Sequence, residues 1–143
     1  MIYNVMNWIP SATDPRGGVT SYTFDNLGRV LTKTDPDPDG AGSLAAPVTT
    51  NSYNSSGLSK VTDPLGHEAN YSRDGRGRIL SVTDGLSNVT SYEYDYYNNI
   101  TKQTEPDPDG AGPLLRPYSM YSYDSLDRLV SKVDPLSGMT TFA

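Results

Sequence analysis

Two stretches of this chain gather carboxylates densely enough to bind a cation. Asp35-Pro36-Asp37-Pro38-Asp39-Gly40 recurs as Glu105-Pro106-Asp107-Pro108-Asp109-Gly110. Three acids at alternate positions before a glycine have the form of an Asp-x-Asp-x-Asp-Gly calcium loop. A hard cation takes several oxygens and relieves the repulsion among the carboxylates. Asp35, Asp37, Asp39, Glu105, Asp107 and Asp109 are therefore candidate Ca2+ ligands. The set is incomplete, because Ala46 and Arg116 stand where such a loop carries its closing acid. The intervening prolines also hold Asp35 and Asp37 extended, which opposes wrapping around an ion. The competing reading is a stiff, solvated acidic loop.

The other reactive residue types are sparse. His67 is the single histidine, no cysteine is present, and no serine is singled out as a nucleophile. His67 follows Gly66 in a turn, where a surface role is expected, so an enzyme is the least favoured class. Asn54, Asn70, Asn88 and Asn99 open Asn-x-Ser/Thr sequences, which matter for N-glycosylation if the protein is secreted. Tyr96-Tyr97 is a candidate for stacking on a glycan, against the commoner role of tyrosine as a packing residue. Arg29, Arg78 and Arg128 are expected to pair with Asp side chains or strand neighbours. The net charge of −6 argues against nucleic acid as a partner, since the local arginine cluster is confined to Arg73, Arg76 and Arg78. No apolar run reaches membrane-spanning length, so no membrane insertion is expected.

These residues sit on a repeat. Six times an Asp or Asn, usually after an aromatic, opens a turn that leads to an aliphatic residue. A Thr or Val follows four residues later, usually before Asp-Pro. The phase markers are Asn4, Asp25, Asn54, Asp74, Asp95 and Asp124, spaced by 21, 29, 20, 21 and 29 residues. Markers three apart are separated by 70 residues, and so are the two acidic stretches. The organisation is a single array of two super-repeats, about 1–70 and 71–140, each with three motifs. No atypical capping motif appears at either end, so a segment of a longer array is expected.

Each motif reads as a β-hairpin. Tyr22 and Phe24, Tyr92 and Tyr94, and Tyr121 and Tyr123 are two apart, which places each pair on one face of a strand. In Asp25-Asn26-Leu27-Gly28 the Asp side chain bonds the backbone ahead and Gly supplies positive φ; Asn98 replaces that Gly in a later copy. The return strand begins at Ile9, Val30, Leu58, Ile79, Ile100 or Leu129. Thr13, Thr34, Thr62, Thr83, Thr104 or Val133 stands four residues on. That even spacing predicts one face for both, and the Asp-Pro that follows stops the strand. With 35% hydrophobic residues and 11 Tyr, the core is expected to be thin and largely tyrosine. The predicted fold is all-β: tandem hairpins forming one continuous, curled antiparallel sheet, a repeat shell or tube.

The motif resembles the YD repeats of the Rhs family. Tyr121-Ser122-Tyr123-Asp124-Ser125-Leu126-Asp127-Arg128-Leu129 and Asp63-Pro64-Leu65-Gly66 carry the likeness, which extends over essentially the whole chain. The resemblance implies hairpins that spiral into a hollow shell. In Rhs and toxin-complex proteins that shell encloses a toxin, and in teneurins it forms part of an adhesion receptor. The family's C-terminal plug, with its self-cleaving aspartyl protease, has no counterpart here. The expected function is a structural β-sheet wall, secreted or at the cell surface and possible as a filament. Its partners would be further copies of itself, neighbouring repeats of a longer chain, or glycans. The alternatives are a shell segment of an Rhs-type toxin and a calcium- or glycan-binding adhesion module.

Overall fold

The computed structural model of the chain describes residues 8–110 and 112–142. The phase marker Asn4 of the first motif lies outside them, while the end of that motif, from Ile9 to Thr13, lies within them. Twelve strands and no helix run through the described residues: β1 (Ser11–Thr13), β2 (Val19–Phe24), β3 (Val30–Thr34), β4 (Val48–Asn54), β5 (Gly57–Thr62), β6 (Glu68–Arg73), β7 (Ile79–Thr83), β8 (Val89–Tyr94), β9 (Ile100–Thr104), β10 (Tyr118–Tyr123), β11 (Leu129–Val133) and β12 (Met139–Thr141). They form one open antiparallel sheet whose strand order is the order of the sequence. The all-β tandem-hairpin fold is thus the observed one. The residues group into two compact units, Met1–Glu68 and Ala69–Ala143.

One local device makes most of the turns. In the 25–29 turn, Asp25 Oδ1 accepts the N–H groups of Leu27 (2.9 Å) and Arg29 (3.0 Å). Its carbonyl accepts from Gly28 N–H, and its own N–H donates to the Arg29 carbonyl. The same Oδ1 pair of bonds recurs at Asp14, Asp63, Asp74, Asp84, Asp95, Asp124 and Asp134. Three residues after each Asp the backbone is left-handed, at Gly17, Gly28, Gly66, Gly77, Ser87, Asn98, Asp127 and Ser137. Four of these turns, beginning at Asp14, Asp63, Asp84 and Asp134, follow the Thr or Val position. The sequence reading placed a strand stop there and recognised a turn at Gly66 alone. At Asp14, Asp63 and Asp134 a proline does follow and end the strand, but at all four the carboxylate also builds the next hairpin turn.

The even-spacing expectation fails for a specific reason. Just before the turns marked by Asp25, Asn54, Asp74, Asp95 and Asp124 the register slips by one, at Thr23/Phe24, Ser52/Tyr53, Ser72/Arg73, Glu93/Tyr94 and Ser122/Tyr123. Each slip is a β-bulge that adds one residue to the return strand. Val30 therefore pairs with Phe24 while Thr34 pairs with Ser21, three positions away on the partner strand. The aliphatic residue and the Thr end on opposite faces. One face of the first unit collects Tyr22, Phe24, Tyr53, Val30, Leu58 and Val61, and the other collects Ser21, Thr32, Thr34, Thr50, Ser52 and Thr62. In the second unit Tyr71, Tyr92, Tyr94, Tyr121 and Tyr123 likewise share a face opposite Ser and Thr.

The core is thinner than composition alone predicts. Among the described residues no apolar side chain is buried, and Ser119 is the one buried polar residue. A sheet normally hides one face against a second layer; here the tyrosines are only half-covered by their neighbours.

Candidate functional site: the seams between hairpins

With no buried apolar layer, the seams that join one hairpin to the next must hold the array together. Backbone pairing covers only part of each seam. Between β3 and β4 it spans three pairs and ends at Thr32↔Thr50. The seams β7–β8 and β9–β10 end in the same way at Ser81↔Ser91 and Lys102↔Met120. Beyond those points the carbonyls of Val30, Ile79 and Ile100 have no strand partner across the seam. The tyrosine of each following Tyr-Asp or Tyr-Asn pair fills the gap. Tyr53 OH donates to Val30 O (2.9 Å), Tyr94 OH to Ile79 O (2.8 Å) and Tyr123 OH to Ile100 O (3.1 Å). Asn51 Nδ2 adds a second bond to Val30 O.

The arginine after the turn closes the seam from the other side. Arg29 lies over the Tyr53 ring at 4.3 Å, and Arg78 over Tyr94 at 4.6 Å. Each guanidinium is aimed by its own turn, through Nε bonds to Asp25 Oδ2 (2.6 Å) and Asp74 Oδ2 (2.7 Å). The expected Arg–Asp pairing is therefore present, and at Arg29 and Arg78 it positions a cation on the next hairpin's ring. Asn99 takes the arginine position before Tyr123, so that seam has the hydroxyl bond without the cation.

These bonds set the carboxylate acidities. Desolvation pushes Asp25 and Asp74 up, but hydrogen bonds from the Arg29 and Arg78 backbone and guanidinium outweigh it and hold both carboxyls below their ordinary value. At Asp95 desolvation is again overcome, by the Asn99 backbone and side chain. Asp63, Asp84 and Asp124 are lowered chiefly by the His67 side chain, the Asn88 side chain and the Arg128 backbone N–H, respectively. Desolvation raises the phenols of Tyr94 and Tyr123.

In the second unit the turns are also tied to each other. Arg78 Nη1 reaches Asp95 O (3.0 Å) and Asn98 Oδ1 (3.2 Å), and Arg76 Nη1 reaches Tyr96 O (3.1 Å). Asn99 Nδ2 donates to Asp127 Oδ1 at 2.9 Å. Arg76 also lies over the Tyr96 ring at 5.1 Å, and Tyr97 meets Tyr96 edge-on at 5.5 Å between centroids.

The six candidate calcium ligands do not converge. Asp35 pairs with Lys33 Nζ (2.6 Å), and Glu105 Oε1 accepts from Gln103. Asp37 and Asp107 accept the N–H of Asp39 and Asp109, whose own Oδ2 atoms accept the N–H of Leu44 and Leu114. Among the described residues no group of three or more His, Asp or Glu is arranged to hold a metal ion. The carboxylates instead fold the loop upon itself, with Gly40 and Gly110 in the left-handed region. Gly42 and Gly112 are needed there: a Cβ on either would lie 1.9 Å from Asp39 or Asp109 Oδ2. Arg116, noted as the missing closing acid, anchors the second loop by donating to the carbonyls of Glu105 and Val89.

The remaining candidates are held by turns or exposed. His67 Nδ1 meets Asp63 Oδ2 at 2.8 Å on the surface. Asn88 and Asn99 commit their amide nitrogens to Asp84 and Asp95, while Asn54 and Asn70 lie exposed. No helix among the described residues is long and apolar enough to cross a membrane.

A family model described as RHS Repeat matches residues 11–40, 53–86 and 73–110. The chain belongs to the RHS repeat family. The crystal structure of TcdB2-TccC3-Cdc42 is similar to it with a TM-score of 0.73 at 17% identity, over 92% of this chain and 7% of that one. The Photorhabdus luminescens Tc holotoxin pore gives 0.72 at 17% identity, over 92% and 6%. TcdB2-TccC3-TEV gives 0.52 at 14%, over 98% and 9%. At such identities the likeness is one of fold. This chain spans less than a tenth of the length of those chains. No curated protein matches it in sequence.

The RHS repeat signature now has a physical reading in this chain. Its Asp turns the strand, its Tyr supplies a hydroxyl to the carbonyl left open across the seam, and its Arg couples the two. Sequence reasoning found the Tyr and Arg positions but missed their joint purpose. The seam bond links residues 15 to 23 positions apart, and it is needed only because pairing stops early.

Proposed function

We propose that this RHS repeat chain is a structural, non-catalytic protein whose hairpins form part of an extended or tubular β-sheet wall, secreted or at the cell surface. One observation carries the reading: a twelve-stranded sheet without a buried apolar side chain among its described residues, with three of its seams closed by the same tyrosine-to-carbonyl bond. Such a sheet gains the burial it lacks from more of the same, as repeat arrays do. Its partners are then neighbouring repeats or further copies of itself. Electron microscopy of the purified protein tests this. Sheets, tubes or fibres are expected, and dispersed small particles at every concentration would contradict it.

A second reading is favoured by the fold shared with the toxin-complex structures: a stretch of shell wall in a larger Rhs-type toxin. There the half-covered tyrosine face would be completed by other parts of a closed shell. Closed hollow particles formed by the full-length gene product, in place of open sheets or fibres, would support this second reading over the first.

A further inference from the structure

The two ends of the hairpins in the second unit carry complementary chemistry. At one end Tyr96 and Tyr97 are 76% and 70% exposed. They bury little, so they add little to folding, yet they are held in place by each other and by Arg76. Arg76 is exposed and has no carboxylate partner among the described residues, unlike Arg29, Arg78 and Arg128. The patch is thus cationic and aromatic, on a chain whose net charge is −6.

At the other end stands the loop that opens Glu105-Pro106-Asp107-Pro108-Asp109-Gly110. Its twin in the first unit, Asp35-Pro36-Asp37-Pro38-Asp39-Gly40, is exposed from Asp37 onward. No Lys or Arg pairs with Asp37, Asp39, Asp107 or Asp109 among the described residues. Ahead of the fold at Gly40 and Gly110, the alternating prolines favour an extended, polyproline-like backbone over residues 35–38 and 105–108, the form that aromatic surfaces bind at low entropic cost. Within the second unit the two features cannot meet. Strand β9 begins beside the patch and ends at the loop, and its five residues span about 17 Å.

We propose that the Arg76–Tyr96–Tyr97 surface docks the acidic, proline-rich loop of a second copy of this chain. Prolines pack on the tyrosine rings, and an Asp carboxylate of the loop meets the Arg76 guanidinium. The contact runs along the strand direction, so it joins walls side by side, whereas the sheet edges extend them strand by strand. It deepens the wall reading and rests on it only for its biological purpose.

Sedimentation velocity of the full chain over a concentration series tests the docking. The wild type is expected to associate reversibly. Arg76→Glu, and separately the pair Asp37→Lys with Asp107→Lys, should each weaken association roughly tenfold or more. Mixing the two charge-swapped variants should restore it. Far-UV circular dichroism checks that each variant keeps its fold, since Arg76 and Asp37 are exposed but Asp107 is half-buried. A synthetic peptide of residues 34–40 should bind the full chain and lose that binding in Tyr96→Ala/Tyr97→Ala. A wild type that stays monomeric, association indifferent to Arg76→Glu, or a mixture that fails to recover would overturn the proposal. Fibres that persist in Arg76→Glu while its sedimentation matches that of the wild type would overturn the docking and leave the wall reading standing. Restored charge-swap pairing without sheets or fibres would do the reverse.

Discussion

In the first unit the left-handed position of every five-residue Asp turn is glycine: Gly17, Gly28 and Gly66. In the second unit Gly77 stands beside Ser87, Asn98, Asp127 and Ser137. A side chain in that conformation costs roughly 1–2 kcal/mol, somewhat less for Asn and Asp. Two of the four do something glycine cannot. Asn98 accepts from Arg78 of the preceding turn, and Asp127 accepts from Asn99 of its own neighbour. The difference teaches that one turn scaffold has two uses. With glycine it only reverses the chain. With a short polar side chain it also bonds sideways, making a linked row of turns at the price of local strain.

The broadest way to break the scaffold in both units is acid. Six turn aspartates have folded values below the ordinary carboxylate value of 3.8. Groups lowered in this way contribute stability that is complete above the unfolded value and lost as pH falls through the lower folded one. Thermal unfolding should therefore change little on these groups' account between pH 7 and 5. It should then move to lower temperature below about pH 4, in both units together.

The next effect separates the units. Arg78→Ala removes bonds to Asp74, Asp95 O and Asn98 as well as the contact with Tyr94. A loss of about 2–3 kcal/mol is expected in urea unfolding. Arg29→Ala removes the bond to Asp25 and the Tyr53 contact, for roughly 1–1.5 kcal/mol. Equal losses would mean that the sideways links of the second unit carry no stability.

The smallest effects test the strain itself. Ser87→Gly and Ser137→Gly should each raise stability by about 0.5–1 kcal/mol, because the relieved strain exceeds the added chain entropy. Asn98→Gly should be close to neutral, since the same relief is offset by loss of the Arg78 bond. Denaturant midpoints of the three variants, measured side by side, resolve the difference.

Much of this was legible in the sequence. Asp25-Asn26-Leu27-Gly28 announces its turn, and Asn98 its left-handed substitute, because both act through bonds within five residues. The turns at Asp14, Asp63, Asp84 and Asp134 carry the same signal, a Gly or Ser three residues after the Asp, but there Pro15, Pro64 and Pro135 read first as strand stops. The bulges were invisible to a count by twos. They place Val30 and Thr34 on opposite faces although the spacing is even. The acidic loops drew attention as cation ligands, whereas the carboxylates of Asp37, Asp39, Asp107 and Asp109 bond the loop's own backbone. That use depends on a fold of the loop that residue types alone do not specify.

The seam is the centre of the account, and a double-mutant cycle on Arg78 and Tyr94 addresses it most directly. Tyr94→Phe removes the hydroxyl bond to Ile79 O but keeps the ring beneath the guanidinium; Tyr94→Leu removes both. Unfolding free energies of the single and double variants should show Arg78→Ala coupled to Tyr94→Leu by about 0.5–1 kcal/mol, and much less to Tyr94→Phe. Additive losses for Arg78→Ala with Tyr94→Leu would contradict the claim that the two residues jointly fasten one hairpin to the next.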